Sequence, residues 1–297
     1  MSEAPKFKVS RPVQIIDIEV PMVKNSQWEQ WCFFTSDEHF DSVHCDRVRL
    51  KKDFDLAKKR NALIFSGGDW FDAINGKRDP RSTKSELRPE YLKSDYWNAL
   101  MKGSAEFIKP YAENMALMIH GNHETACIKN NELDLTKGVV DMVNAKNGTN
   151  IMQGEYEEFV RLSFLPPTTK EKQVKHSRMF YFNHGWGGAS PVTGGSIHHH
   201  RVAEFVHVDY VCMGHTHTSM SDDRIYYEPT NQGSILQKTQ HFIRTPGYKA
   251  ARKPGETTWE TVKGIKPKTI GGVWLHFTWD TAKIDGQRLK VTMERPE

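Results

Sequence analysis

The sequence predicts an α/β fold with extra strands near its C-terminal end. Three observations predict it. Short apolar runs recur, each the length of a buried strand. Charged, amphipathic stretches of helical period separate them. After Asp222 the helical stretches give way to strand-like texture.

The elements follow in order. Residues 31–36 form a buried strand ending in the polar loop 37–42. Val43, Val48, Leu50, Phe54 and Ala57 stand among many charges and make 43–60 an amphipathic helix. A second buried strand, 62–65, runs into a polar loop at Gly67, and the charged stretch 75–89 reads as an exposed loop. Residues 90–112 read as helix, 115–119 as a third strand followed by the polar loop 121–125, and 133–145 as helix. In the second half 159–165 and 179–183 are strands, 197–207 is helical, and 209–213 is a strand ending at Gly214. Strands at 224–228 and 233–236 follow. A basic, loop-like stretch spans 250–269, and 273–280 pairs with 289–294 as a terminal hairpin across Gly286.

The 297 residues fit one large domain or two small ones. No break in composition divides them, so a single domain is expected over 1–297. Its motif core covers about 31–235, with a basic loop and hairpin over about 237–297. Hydrophobic residues make up 37%, the low end for a globular chain, but 8 Trp and 15 Phe supply bulk for a core. The apolar run at 115–119 is far too short to span a bilayer, and the polar first eleven residues carry no export signal, so no membrane is expected. Cys32, Cys45, Cys127 and Cys212 lack C-x-x-C spacing and read as free thiols of a reducing, cytoplasmic compartment. A net charge of +4 leans only weakly toward anionic partners. Composition leaves the oligomeric state open.

Five predicted strands end in metal-capable clusters: Asp37-Glu38-His39, Gly68-Asp69, Gly121-Asn122-His123-Glu124, His184-Gly185 and Gly214-His215-Thr216-His217. Ligand sites in α/β sheets lie beyond the carboxyl ends of strands, so five such clusters should meet at one edge. Imidazole and carboxylate without thiolate suit Mn, Fe, Zn, Ni or Co, with Mn the first expectation, and disfavour Mg or Ca alone. Asp37, His39, Asp69, Asn122, His184, His215 and His217 are seven donors, too many for one tetrahedral ion and suited to two divalent ions sharing a carboxylate. Two such ions against Asp37 and Asp69 leave a positive site that attracts an anion such as phosphate. A metal-bound water has its pKa lowered to about 7 and becomes a nucleophile.

In this order the clusters resemble the calcineurin-like metallophosphoesterases, whose pattern runs D-x-H, G-D, G-N-H, H, G-H-x-H. The match spans about residues 31–235, with no ligand position missing. The resemblance implies a four-layer αββα sandwich with a dinuclear centre at one edge. It implies that one metal takes Asp37, His39, Asp69 and His217, and the other Asp69, Asn122, His184 and His215. It further implies attack on a phosphoester by a metal-bridging hydroxide, with His123 as a non-ligating general acid. Many members extend the second motif to G-D-x-x-D; Gly68-Asp69-Trp70-Phe71-Asp72 fits, which makes Asp72 the carboxylate that orients His123.

Other features carry blander readings beside the functional ones. Asp37 alone is also a helix N-cap. Asp72 is also a cap for the loop at Asn75, and Glu124 reads as structural or as a surface anion. His198, His199 and His200 either line the cleft or merely open a helix. Trp186 with Gly187, Gly188, Gly194 and Gly195 suggests a mobile loop beside the second metal. The stretch 238–268 holds eight Lys or Arg against Glu256 and Glu260. With Phe242, Tyr248 and Trp259 interleaved, it is either a nucleic-acid strip or a solvated face.

The protein Ser/Thr phosphatases carry G-D-x-x-D-R-G, but Ala73-Ile74 follow Asp72 here. The double-strand-break repair nucleases often have histidine where Asp72 stands. The lipid A pathway hydrolases usually replace the histidine of G-N-H, and His123 is present. The expectation is a phosphodiesterase, with a nuclease as the favoured case. The alternatives are a small-molecule phosphodiesterase or phosphomonoesterase, and a non-catalytic scaffold of the same fold.

Overall fold

The computed structural model describes residues 7–73, 85–165, 176–188, 193–250, 255, 259–262, 264, 266–281 and 289–296. Among them run the strands β1 (Lys8–Ser10), β2 (Ile16–Pro21), β3 (Glu29–Thr35), β4 (Leu63–Ser66), β5 (Met115–Met118), β6 (Met152–Gln153) and β7 (Glu157–Leu165). They continue with β8 (His176–Asn183), β9 (Tyr210–Met213), β10 (Met220–Pro229), β11 (Ile235–Arg244), β12 (Val273–Trp279) and β13 (Leu289–Glu294). The main helices are α1 (Arg47–Lys59), α2 (Tyr96–Ile108), α3 (Asn122–Asn131), α4 (Leu135–Asn147) and α5 (Ser196–Ala203).

The strands form two sheets. One has the order β1-β2-β7-β8-β9-β11-β10 and the other β13-β12-β3-β4-β5-β6. Within the second, β3, β4 and β5 are parallel neighbours; within the first, β8 and β9 are. The two sheets pack face to face through Phe34, Phe65, Leu117, Leu162, Phe180, Phe182 and Phe277. Each such side chain contributes ~1.5–3 kcal/mol on burial. Phe33 and Ile64 point the other way, onto Leu50, Phe54, Leu100, Val139 and Val143 of α1, α2 and α4. On the far side Val202 and Ala203 of α5 cover Tyr181, Val211 and Met213. The layers are therefore helix, sheet, sheet, helix, and the apolar runs of β3, β4 and β5 are buried on both faces, as parallel strands must be.

Several boundaries differ from the sequence reading. Helix α1 begins at Arg47 rather than Val43, because the Asp46 side chain accepts the Arg49 amide at 2.9 Å and caps the first turn. The helix expected over 90–112 is broken into a 3₁₀ turn opened by Pro89 and the separate α2. The polar loop at 121–125 is in fact the start of α3, whose polar sequence shows no apolar stripe. Strands β1 and β2 had no counterpart in the sequence reading. Strand β11, with 10 residues, is far longer than the stretch read at 233–236 and continues to Arg244, parallel to β9. Strands β12 and β13 pair antiparallel as expected; Gly286 between them lies outside the described residues, as do much of 75–89 and 250–269.

Candidate metal centre

All five clusters sit where a parallel strand ends: β3, β4 and β5 from one sheet, β8 and β9 from the other. The turns are tight. Asp37, His39, Asp69, His215 and His217 all have left-handed backbone, with φ between 44° and 70°. Such residues cost of order 1–3 kcal/mol each and persist where the surroundings over-determine them. A Cβ on Gly121 would stand 2.1 Å from Asp69 Oδ1, so only glycine allows the loops after β4 and β5 to meet. A Cβ on Gly214 would stand 2.6 Å from Asp37 Oδ2, with the same consequence for the loops after β3 and β9.

The donor atoms converge in two groups, each within 4.8 Å: Asp37, His39 and His217, and beside it Asp69, His184 and His215. His39 Nε2 lies 3.2 Å from His217 Nε2, which is 3.3 Å from Asp37 Oδ1. In the second group His184 Nε2 lies 3.1 Å from Asp69 Oδ2 and 3.1 Å from Asn122 Oδ1. His215 Nδ1 is 2.7 Å from the same Asn122 oxygen. Asp37, Asp69 and His184 are fully buried or nearly so, and the His123 and His217 side chains remain 15% and 17% exposed.

These contacts test the fit of a cation. His184 Nδ1 donates to the Gly67 carbonyl at 2.9 Å, which leaves the Nε2 lone pair facing two oxygen acceptors. That arrangement demands either a proton on Nε2 or a metal ion between. Burial alone would lower His184, but Asp69 and Asp37 outweigh it and push it up to about 10. Burial likewise would raise Asp69, yet His184 and His123 beside it hold it far below the usual carboxylate range. Burial pushes His217 down to about 3; Asp37 opposes this, while His39, Lys268 and Lys249 add to it. Ligands ~2.0–2.1 Å from an ion sit roughly 3 Å from one another, the spacing these pairs have. The residues fit two divalent ions, with Asp69 reaching both groups: its donor oxygen also lies within 4.8 Å of donor nitrogens of His39 and His123.

Asp72 is where the structure differs most from the sequence reading. Its carboxylate is 2.8 Å from His39 Nδ1 and 3.8 Å from His123 Nδ1, so its primary partner is His39. His123 is instead oriented through the main chain, its Nδ1 donating to the Asp72 carbonyl, and its Nε2 stands 3.8 Å from Asp69 Oδ2. Lys249 Nζ closes on the Asp72 carboxylate at 3.2 Å.

Three buried acids were not singled out as supports in the sequence. Glu124 is fully buried and accepts the amides of Asp69, Phe71 and Gly121 at 3.0, 2.9 and 2.8 Å; it is structural and not a surface anion. Asp41 accepts the amides of Asp72 and Ala73 at 2.6 and 3.1 Å. Glu38 meets Thr35 and Ser66, and burial pushes its carboxyl up to about 8. Glu124 stands three residues into α3, the capping position that reaches back to the helix start, and this was the available signal.

The histidine triplet divides. His198 is buried with its ring 5.4 Å from Trp186, beside the second metal group, whereas His199 stacks on Phe242 in the core and His200 is exposed. Within the described part of the basic stretch 238–268, Phe242, Tyr248 and Arg244 are buried, and Lys238 pairs with Glu228. Arg252, Lys253 and Lys263 lie outside the described residues. All four cysteines are buried and none forms a disulfide, and among the described residues no helix is long and apolar enough to cross a membrane.

No curated protein sequence matches the chain. Among solved structures, a conserved uncharacterized protein of Streptococcus pneumoniae, described as a predicted phosphoesterase, is 12% identical. The comparison covers 91% of each chain at a TM-score of 0.32. GAP50, the anchor in the inner membrane complex of Plasmodium, is 11% identical, with 91% of this chain and 89% of that one covered at a TM-score of 0.40. A double mutant of Vps29 from Entamoeba histolytica is 12% identical, with 70% of this chain and 91% of that one covered at a TM-score of 0.22. At such scores none of the three bears on what the site does. The sequence model of the calcineurin-like phosphoesterases matches residues 33–219, more than half of the 297 and all five ligand-bearing turns, and the chain belongs to that family.

Proposed function

We propose that this protein is a metal-dependent phosphoesterase that hydrolyses phosphodiesters at a dinuclear centre. The observation that carries the reading is the meeting of five strand-end turns from two sheets, with donor atoms in two groups that share reach to Asp69. One metal group would be held by Asp37, His39, Asp69 and His217, the other by Asp69, Asn122, His184 and His215. Bound there, two divalent transition-metal ions, Mn first among them, would polarise the phosphoryl oxygens and supply a nucleophile from water at neutral pH.

The chain's own residues do the rest. The Gly67 carbonyl fixes His184 with its Nδ1 protonated, and Asp72 does the same for His39, so that in each ring Nε2 faces the centre. The Asp72 carbonyl holds the His123 ring by Nδ1 and leaves Nε2 directed toward the centre, at the more exposed side. From there Nε2–H would protonate the departing oxygen, the role of a general acid. The narrower reading, a nuclease, draws no support from Phe242 and Tyr248, which are buried.

The test is turnover of bis-p-nitrophenyl phosphate by metal-free protein reloaded in turn with Mn, Ni, Zn and Mg. Turnover with a transition metal supports the reading. No turnover with any of them favours the scaffold.

A further inference from the structure

Strands β10 and β11 form an arm that leaves the first sheet with an unpaired edge. Strand β9 reaches only residues 241–244 of β11, so 235–239 of β11 and 224–229 of β10 run on past it as a two-stranded ribbon. The ribbon is exposed almost throughout: Ile225 is 59%, Tyr227 70% and Ile235 69% exposed. Two strands alone are marginally stable in water. Strand β10 also ends its sheet and, with 10 residues, is a long edge of the kind that proteins cover or blunt.

The hydrogen-bond phase shows which backbone groups of this edge stand free. His241 and Thr245 donate their amides to the Asp209 and Met213 carbonyls on the β9 side, so the alternate residues of β11 exchange bonds with β10. The Thr230 amide, donating to the Ser234 carbonyl at 2.8 Å, keeps the same phase. Asp222, Arg224, Tyr226 and Glu228 therefore bond to β11, while the amides and carbonyls of Asp223, Ile225 and Tyr227 point away from the sheet. The Asp222 side chain already accepts the Asp223 amide at 2.9 Å, and Pro229 has no amide to offer. Ile225 and Tyr227 remain as the outward donors of the ribbon.

An antiparallel copy of β10 fits this edge in one register. With a two-fold axis at Tyr226, Ile225 of each chain lies opposite Tyr227 of the other, and each outward amide meets an outward carbonyl. The same register sets Arg224 opposite Glu228, twice over by symmetry, in the pairs whose side chains approach most closely. The charges are placed for it. The Arg224 guanidinium donates to the Ala203 carbonyl and lies over the Tyr226 ring, without a carboxylate among the described residues, and Glu228 takes Lys238 at 2.7 Å from within its own chain. An axis at Ile225 would set Asp222 against Glu228, and an axis at Tyr227 would leave Arg224 against Thr230.

We infer that β10 is a dimerisation edge, at which a second copy of this chain pairs antiparallel about Tyr226 and joins the two seven-stranded sheets into one. The ribbon is the start of β11, which comes level with the end of β9 and its metal-binding turn only at Arg244, so the inference stands apart from any reading of the reaction.

The experiment is sedimentation equilibrium of the full chain at micromolar concentration. The wild type should have twice the mass of one chain. Ile225→Pro removes an outward amide and spares the bonds to β11, so it should halve that mass with the circular dichroism unchanged. Arg224→Glu sets acid against acid across the axis. Glu228→Arg combined with Lys238→Glu keeps the ion pair within the chain, its sign reversed, and sets base against base. Each of these should sediment as a monomer, and an equimolar mixture of the two should return to the dimeric mass, because every facing pair is then opposite in charge. A monomeric wild type, a dimer that survives Ile225→Pro, charge variants that dimerise alone, or a mixture that stays monomeric overturns the inference.

Discussion

Glu124 accepts the main-chain amide of Asp69 at 3.0 Å across 55 residues of sequence, and so joins the turn after β4 to the start of α3. The same carboxylate takes the amides of Phe71 and Gly121, so one buried side chain satisfies three N–H groups that the tight turns would otherwise leave unpaired. Asp69 faces both groups of donors, and its backbone position is set by a carboxylate that is not itself one of the proposed ligands.

Glu124→Ala should therefore damage both stability and metal binding. Leaving buried amides without acceptors costs ~1–3 kcal/mol each, partly offset by removing a buried acid, so a net loss of about 2–4 kcal/mol is expected in urea denaturation of the metal-free protein. Metal affinity should fall about 10–100-fold, the usual effect of removing a group that orients ligands. Wild-type stability and affinity together would show that the Glu124 contacts are incidental.

His123→Ala separates binding from chemistry. The variant should keep its metals, while turnover falls by roughly 10²–10⁴-fold with an alkoxide leaving group. The loss should be smaller with p-nitrophenolate, which departs without a proton. Metal analysis is the check. His123 also lies within reach of His39 and Asp69, and a fall in metal content would make it a ligand.

Much of this site was legible in the sequence because its chemistry is local. Asp37, His39, Asp69, Asn122, His184, His215 and His217 each follow a short apolar run, and a buried parallel strand has no other way to end than in a turn at the sheet edge. The supports were less legible because they act across distance. Asp72 was expected to orient His123 with its carboxylate, but it gives that carboxylate to His39 and meets His123 through its main-chain carbonyl. Helix α3 was hidden for a different reason: it has polar residues all round and is held by its capping contacts rather than by an apolar stripe. Charge and aromatic content also do not say which residues of the basic stretch β11 will carry inside; its alternation buries Phe242 and Arg244 on one side of the sheet and Ile243 on the other.

Glu38 gives a pH prediction. Burial pushes its carboxyl up to about 8, from an ordinary value of 4.5. A folded-state pKa above the unfolded one means that the folded protein binds the extra proton, so this contribution is complete below about pH 4.5 and lost as pH rises through 8. Glu38→Gln keeps a neutral side chain that still meets Thr35 and Ser66. In urea denaturation of metal-free protein it should match the wild type near pH 4.5 and exceed it above pH 8. Parallel stability profiles for the two proteins would refute the shift.

Asp69 and Asp72 make a final pair of contrasts. Asp69 reaches both donor groups, whereas the Asp72 carboxylate touches only His39 among the proposed ligands at hydrogen-bond distance. Asp69→Asn should weaken both metal sites, because in the proposed centre the shared carboxylate would serve each ion. Asp72→Asn should weaken only the site that includes His39, by about 10–100-fold, because the amide no longer offers His39 Nδ1–H a charged acceptor. Metal titration with a chromophoric competitor reads both. Two sites lost together in Asp69→Asn, and one tight site surviving in Asp72→Asn, is the expected pattern. One ion or none per active wild-type chain would count against the dinuclear reading, and equal loss at both sites in Asp72→Asn would mean that the carboxylate holds the whole edge together rather than one histidine.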